Sequence, residues 1–433
     1  MHHHQHTDYV EVVSAQGPQK PSATLQTTCI ILMIVGFGAF AFNAFAVENN
    51  RVGWIAFLHN FYFFTGLSAA GVVIACIVHI TNAMWGRPIK RFAEAYGAFL
   101  PFSLIFLIIL YFGAGNIYEW VNYPPDSTYH PNKAFWLQQD FLFIRCFVYI
   151  VLLIIFARLF NRQSLRPDLG LAHEKNPDLW PQPAGWAGLE AEVKNSQQKQ
   201  YYYSAFYCLS FAFFISMLAY DLIMSLDYRW ISTMFGGWNF TTFMLIGWGT
   251  MVLVTHFMST RFGLEKYMHK KLYHDLGKLT FGFTVVWGYL MFAQIMVIWY
   301  GNLGHETGWL ITRIFDATWQ PYTLIALGLV FIVPFILGLS KNIKMSPRTF
   351  MPVVLISFSG AWLERFVQIA PASWYFDHEI KAFEGGVGGL LFWDLVVFLG
   401  FAGLFILTFT NYLYKHPKMV ISDPRLDEGI NRH

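Results

Sequence analysis

Two acids placed in otherwise apolar sequence, Asp221 and Glu364, are the residues best suited to chemistry. Asp221 stands near the end of SAFYCLSFAFFISMLAYDLIMSLDYRW (Ser204–Trp230), and Glu364 in VVLISFSGAWLERFVQIA (Val353–Ala370). An ionisable group at bilayer depth costs about 3 kcal/mol on insertion scales, so it marks a functional site by default. Carboxylates and imidazoles are also the groups whose proton affinity an environment can bring near neutrality, which suits them to proton transfer. The ionisable groups within apolar runs fall into two tiers. His79, His256, Asp275 and Lys278 form one, and Asp140, Arg145, Asp221, Asp227, Glu364, Arg365 and Asp394 form the other. They suggest a pair of half-paths for protons, one from each side, through Asp221, Glu364, Lys278, His256, His79, Asp227, Arg365 and Arg145. Lys278 and Arg365 are each expected to partner an acid across the bundle, which lowers the cost of burial. Asp140, Asp227, Asp275 and Asp394 lie near span ends, where a charge is cheap, and are expected at the interface. His59, with Asp140 beside it, is a candidate quinone contact, and otherwise an exposed interfacial residue. His79 and His256 are poor haem ligands if they belong to different helix sets; hydrogen-bonded packing or proton relay fits them better.

The elements that must hold these residues are membrane helices. Of 433 residues, 55% are hydrophobic and only 13% charged, against about a quarter charged in a soluble domain. A span needs about 20 apolar residues. That criterion predicts ten helices: Thr27–Val47, Trp54–Ile80, Ala95–Ala114, Gln139–Phe160, Tyr201–Met224, Trp238–Met258, His274–Trp299, Gln320–Leu339, Thr349–Ala370 and Gly389–Tyr414. Lys and Arg concentrate in alternate connections, including Arg87, Lys90, Arg91, Arg158, Arg166, Arg261, Lys266 and Lys344, while the others hold one each: Arg51, Lys133, Arg229, Arg313 and Lys381. The bias predicts that both termini are cytoplasmic. The basic excess is topological, and no nucleic-acid partner is expected. Residues 1–26 are polar, read as a cytoplasmic tail whose MHHHQH start is a weak metal-binding run or a tag remnant. The connection 161–200 reads as a surface excursion suited to a partner subunit. Trp and Tyr at span ends, such as Trp54, Trp230 and Trp374–Tyr375, form the ordinary interfacial belt. Cys29, Cys76, Cys146 and Cys208 form no CxxC or CxxCH, which argues against c-type haem, a Cys-ligated cluster or structural zinc bound by this chain.

A faint internal repeat organises the spans. His79-x6-Gly86 compares with His256-x6-Gly263, Gly115-Asn116 with Gly301-Asn302, and Asp221…Trp230 with Glu364…Trp374. The shared order suggests an all-α membrane protein of two parallel four-helix bundles, residues 54–230 and 231–388. Peripheral helices would stand at 27–53 and 389–433.

MSLDYRWISTMFGGWNF (Met224–Phe240) and WYGNLGHETGW (Trp299–Trp309), on ten spans, resemble the NrfD/PsrC-like membrane subunits. More narrowly, they resemble the smaller NrfD-like subunit of bacterial alternative complex III. GGWNF departs from the usual continuation, which puts the neighbour of that outer loop in question. The resemblance implies a non-catalytic, cofactor-free subunit in a bacterial inner membrane. It would give support and a proton path coupled to oxidation of menaquinol or ubiquinol elsewhere in the complex. Haem c and iron–sulfur clusters would sit in partners: a larger NrfD-like subunit, an iron–sulfur subunit, and multihaem and monohaem cytochrome c subunits, with membrane lipids and a terminal oxidase as further neighbours. Two alternatives stay open. One is a quinol-binding anchor of a molybdenum-dependent reductase, with a pocket around His59, Asp140 and Asp221. The other is an independent ion or solute transporter; Pro101, Pro334 and Pro352 interrupt spans three, eight and nine without matching in the two halves.

Overall fold

Lipid offers no partner to a backbone amide, so an apolar chain of this composition must satisfy its own hydrogen bonds, and helices do so. The computed structural model describes residues 8–47, 49–125, 128, 131–374 and 385–431, and among these it is helical without strands. The Met1–His6 stretch, Lys381, Arg432 and Tyr375 lie outside the described residues.

Among the described residues, ten helices are long and apolar enough to cross a membrane. They are α1 (Ala23–Phe45), α2 (Arg51–Ile80), α3 (Met84–Asn116), α4 (Gln139–Lys175), α5 (Leu189–Asp227), α6 (Phe235–Phe262), α7 (Lys270–Gly301), α8 (Gln320–Gly338), α9 (Pro347–Ala372) and α10 (Gly386–Lys415). Each overlaps an expected span. The largest difference is at α4 and α5, which run on into the polar segment expected to be a surface excursion. Only residues 176–188 between them are not helical.

α2 is the central post. Its most apolar window is 94% buried, against 22% for α7 and for α8. It packs on α1, α3, α5, α6, α9 and α10. α3 packs on α4, α4 on α5, and α5 on α2 and α6; α6 packs on α7 and α9, and α8 on both α7 and α9. Small residues permit the closest crossings, as packing within lipid requires. A Cβ at Gly36 of α1 would lie 2.2 Å from the backbone nitrogen of Gly400 on α10. One at Gly360 of α9 would lie 2.5 Å from that of Val330 on α8.

Both chain ends emerge at one end of the bundle, where Gln19 N–H donates to the Tyr414 carbonyl at 2.8 Å. The segment after α10 folds back into this end. Met419, Val420 and Ile421 are buried; the Ser422 hydroxyl and amide donate to Asp168, at 2.5 and 2.8 Å. Arg87 donates to Asp423 at 2.8 Å.

Candidate functional site

Of the carboxylates buried in these ten helices, Glu94, Asp168, Glu192 and Asp275 lie in the half that holds the chain ends, and three lie in the remote half. The first is Asp221, in a π-helical turn (Ala219–Ile223) that interrupts the regular pitch of α5. Such turns recur at functional positions because they aim a side chain that a regular helix would place elsewhere. The Arg145 guanidinium on α4 donates to Asp221 Oδ1 at 2.9 Å and to Oδ2 at 3.4 Å. Trp136 Nε1 adds a third bond at 3.1 Å. Arg145 lies against the faces of Trp136 and Phe141, 3.9 and 4.3 Å from their centroids. The pair is therefore a cross-helix lock with aromatic cover.

Glu364 on α9 is the second. Arg365 Nη2 donates to its two oxygens at 3.0 and 3.1 Å. Gln368 Nε2 donates at 2.9 Å, the Thr242 hydroxyl at 3.3 Å and Trp287 Nε1 at 3.4 Å. Arg365 is fully buried. It also donates to Thr242 Oγ1 and Gln368 Oε1, each at 2.5 Å, and to Asn239 Oδ1. The Tyr62 hydroxyl on α2 reaches the same Asn239 oxygen at 3.0 Å. Four helices thus supply one polar network around a single ion pair.

The third acid is Asp394 on α10, which was expected at the interface and is instead 0% exposed. Its Oδ2 lies 2.7 Å from His59 Nδ1, and its Oδ1 accepts from Asn60 at 2.5 Å. Trp362 Nε1 of α9 donates to Asn60 Oδ1 at 3.0 Å. His59 is likewise 0% exposed rather than interfacial. The reason is packing: α10 lies directly on α2, so it is not merely peripheral, and its first turns face the central post. The Glu364 and Asp394 clusters share the helix pair α2 and α9, and Trp362 and Arg365 stand three residues apart on α9.

The remaining candidates are placed differently. Lys278 does not reach across the bundle; it pairs with Asp275 three residues away on its own helix, at 2.6 Å, and its side chain is 53% exposed. Asp140 is exposed and accepts from the Tyr111 hydroxyl at 2.6 Å. Asp227, the last residue of α5, is half-buried, and its carbonyl accepts from the Trp230 amide at 3.1 Å. His256 is half-buried beside Phe257. His79 is buried at the terminal end, 3.3 Å from the Gln197 carbonyl and within 3.3 Å of Arg87 and Lys90 nitrogens. His59, Asp140 and Asp221 have separate partners and do not form one pocket.

Two features escaped the sequence reading. Arg87, Lys90 and Arg91, expected as loop charges, are 3%, 1% and 0% exposed. Arg91 bridges Glu94 and Asp168, and Lys90 donates to Gln200 at 2.6 Å. A buried charge network therefore closes the terminal end of α2–α5. The only local signal was the acid Glu94, three residues from Arg91. The second feature joins the two distinctive strings. Trp230 stacks on Trp309, with centroids 4.1 Å apart and planes 6° apart. Arg313 lies 4.0 Å from the Trp309 centroid. Burial pushes the Arg313 guanidinium down to about 9, with the Asp227 charge opposing the shift, so it stays protonated at neutral pH. A cavity of about 190 Å³ lies beneath Trp309, bounded also by Trp287, Gln294, Arg313 and Glu364.

A scan against protein-family models found no match, and a search of the curated proteins found none either.

Proposed function

We propose that this chain is a proton-conducting, structurally supporting membrane subunit of a quinol-oxidising respiratory complex, of the kind its two strings resemble: the smaller NrfD-like subunit, ActF, of alternative complex III. The observation that carries the proton reading is the burial of Asp221, Glu364 and Asp394 together in the half of the spans remote from the chain ends, their side chains at most 7% exposed. Isolated buried charges would be too costly to keep, whereas acids held by donors can exchange a proton with little rearrangement of the backbone. Glu364 with Arg365, and Asp394 with His59, serve as two stations on the α2–α9 pair; Asp221 with Arg145 serves the α4–α5 side. His79, His256 and Lys278 are not part of this route. The parallel-repeat reading is supported by the packing, since α2 to α5 and α6 to α9 each contact their neighbours in order and close last on first. The cytoplasmic position of both termini rests on the Lys and Arg bias. Quinol oxidation and the haem and iron–sulfur centres belong to partner subunits in this reading. The quinol-anchor alternative is not favoured, because its three residues do not converge.

The test is proton translocation in proteoliposomes by the intact complex, with Glu364→Gln, Asp394→Asn and Asp221→Asn made separately. Electron transfer is expected to continue while translocation falls, most for Glu364→Gln. Unchanged translocation in all three would sink the proposal.

A further inference from the structure

The cavity beside Glu364 is bounded by polar residues, most of whose polar atoms are engaged elsewhere; the Trp238 indole nitrogen, buried at the same wall, has no partner among the described residues. The Glu364 oxygens accept from Arg365, Gln368, Thr242 and Trp287. Arg313 gives Nε, Nη1 and Nη2 to the carbonyls of Val367, Trp309 and Gln368, at 3.0, 2.9 and 2.9 Å. Gln294 Oε1 accepts from Ser232. The Thr323 hydroxyl donates to the Arg313 carbonyl at 2.7 Å. The wall is chiefly the apolar surface of Trp287, Trp309, Met291, Leu310, Leu324 and Leu327. A buried water needs two to four polar partners, and an apolar cavity of about 150 Å³ stays dry and takes hydrocarbon instead. The volume here, about 190 Å³, is of that kind.

The cavity also has a side facing the membrane. α7 packs on the 328–338 half of α8 rather than on its 320–327 half, which leaves the two helices parted beside the cavity. Leu324, one of its wall residues, is 57% exposed there, and α7 presents Phe292 and Met296 on the same outward surface, 60% and 44% exposed. Hydrocarbon is the solvent on that surface of a spanning helix.

We propose that this cavity is a lipid-chain site: one acyl chain of a membrane phospholipid enters between α7 and the 320–327 half of α8 and lies against Trp287, Trp309 and Leu310. The chain excludes water from that side of Glu364. Proton exchange at Glu364 then runs on its other side, through Thr242, Arg365 and Asn239. This last consequence rests on the proton reading; the lipid site itself does not.

The probe is a phosphatidylcholine carrying a photoactivatable diazirine in mid-chain, incorporated with the full chain into nanodiscs, with labelled residues mapped by peptide mass spectrometry. Trp287 is 1% exposed and Leu310 4%, so ordinary surface lipid does not reach them. Label on these two residues is expected, together with label on Phe112, which is 77% exposed and reports surface lipid. Filling the cavity with Ala326→Phe, or separately Leu327→Trp, removes the label from Trp287 and Leu310 and leaves it on Phe112, whose labelling also reports intact reconstitution. Glu364→Gln keeps the label whether or not Glu364 conducts protons, which separates this proposal from the preceding one. Label confined to outward residues such as Phe292 in the wild-type chain overturns the site. So does copurification of a prenyl lipid, in place of phospholipid, that the filled variants lose.

Discussion

The Asp221 and Glu364 regions solve one problem, a buried carboxylate beside an arginine, in two ways. At Asp221 the arginine comes from another helix, reaches in from a side chain that is 10% exposed and leans on two aromatic rings. Only Trp136 adds a further strong donor. At Glu364 the arginine is the next residue in the chain, and α6, α7 and α2 complete its surroundings. The first arrangement ties two helices together and leaves its edge partly exposed. The second holds an ion pair inside a network where nearly every polar atom has a partner, so removing any member leaves others stranded.

That difference can be broken experimentally. Arg365→Met carries the largest expected penalty, about 3–5 kcal/mol, because it strands Glu364 without a countercharge and removes donors from Asn239 and Thr242. Its measure is thermal unfolding of the purified full chain. Arg145→Met is expected to cost less, about 1.5–3 kcal/mol, the range for a hydrogen bond to a charged group, since Asp221 retains Trp136. Equal losses in the two variants would abolish the contrast drawn here. At the small end, Lys278→Met should lower stability little, by about 0.5 kcal/mol or less, as for a pair three residues apart on one helix whose lysine is 53% exposed. A large effect there would mean that Lys278 supports more than its bond to Asp275.

The existence and order of the spans were legible because hydropathy depends on composition alone. Span ends were less so: α4 and α5 continue through polar residues such as Arg166 and Glu192, which bond each other at 2.7 Å and so stabilise helix beyond the apolar stretch. That Asp221 and Glu364 lie within apolar helix was also legible, and both are buried. Their partners were legible only in part, because rotation about the helix axis is set by packing. Arg145 was among the candidates, but nothing local joins it to Asp221. His59 and Asp394 are 335 residues apart in the chain, and no periodicity relates them. Asn239, Thr242 and Gln368 are uncharged and read as ordinary polar interruptions until the fold brings them to Arg365.

The return of residues 419–423 into the terminal end bears on biogenesis. Arg91, Glu94 and Asp168 belong to α3 and α4, yet the Asp168 carboxylate is completed by Ser422, some 254 residues later. While the ribosome is still making the later spans, Asp168 has only part of its native set of donors. The early helices therefore wait in an incompletely bonded state until residues 419–423 arrive, and a product released before this segment is translated would keep that gap at its terminal end.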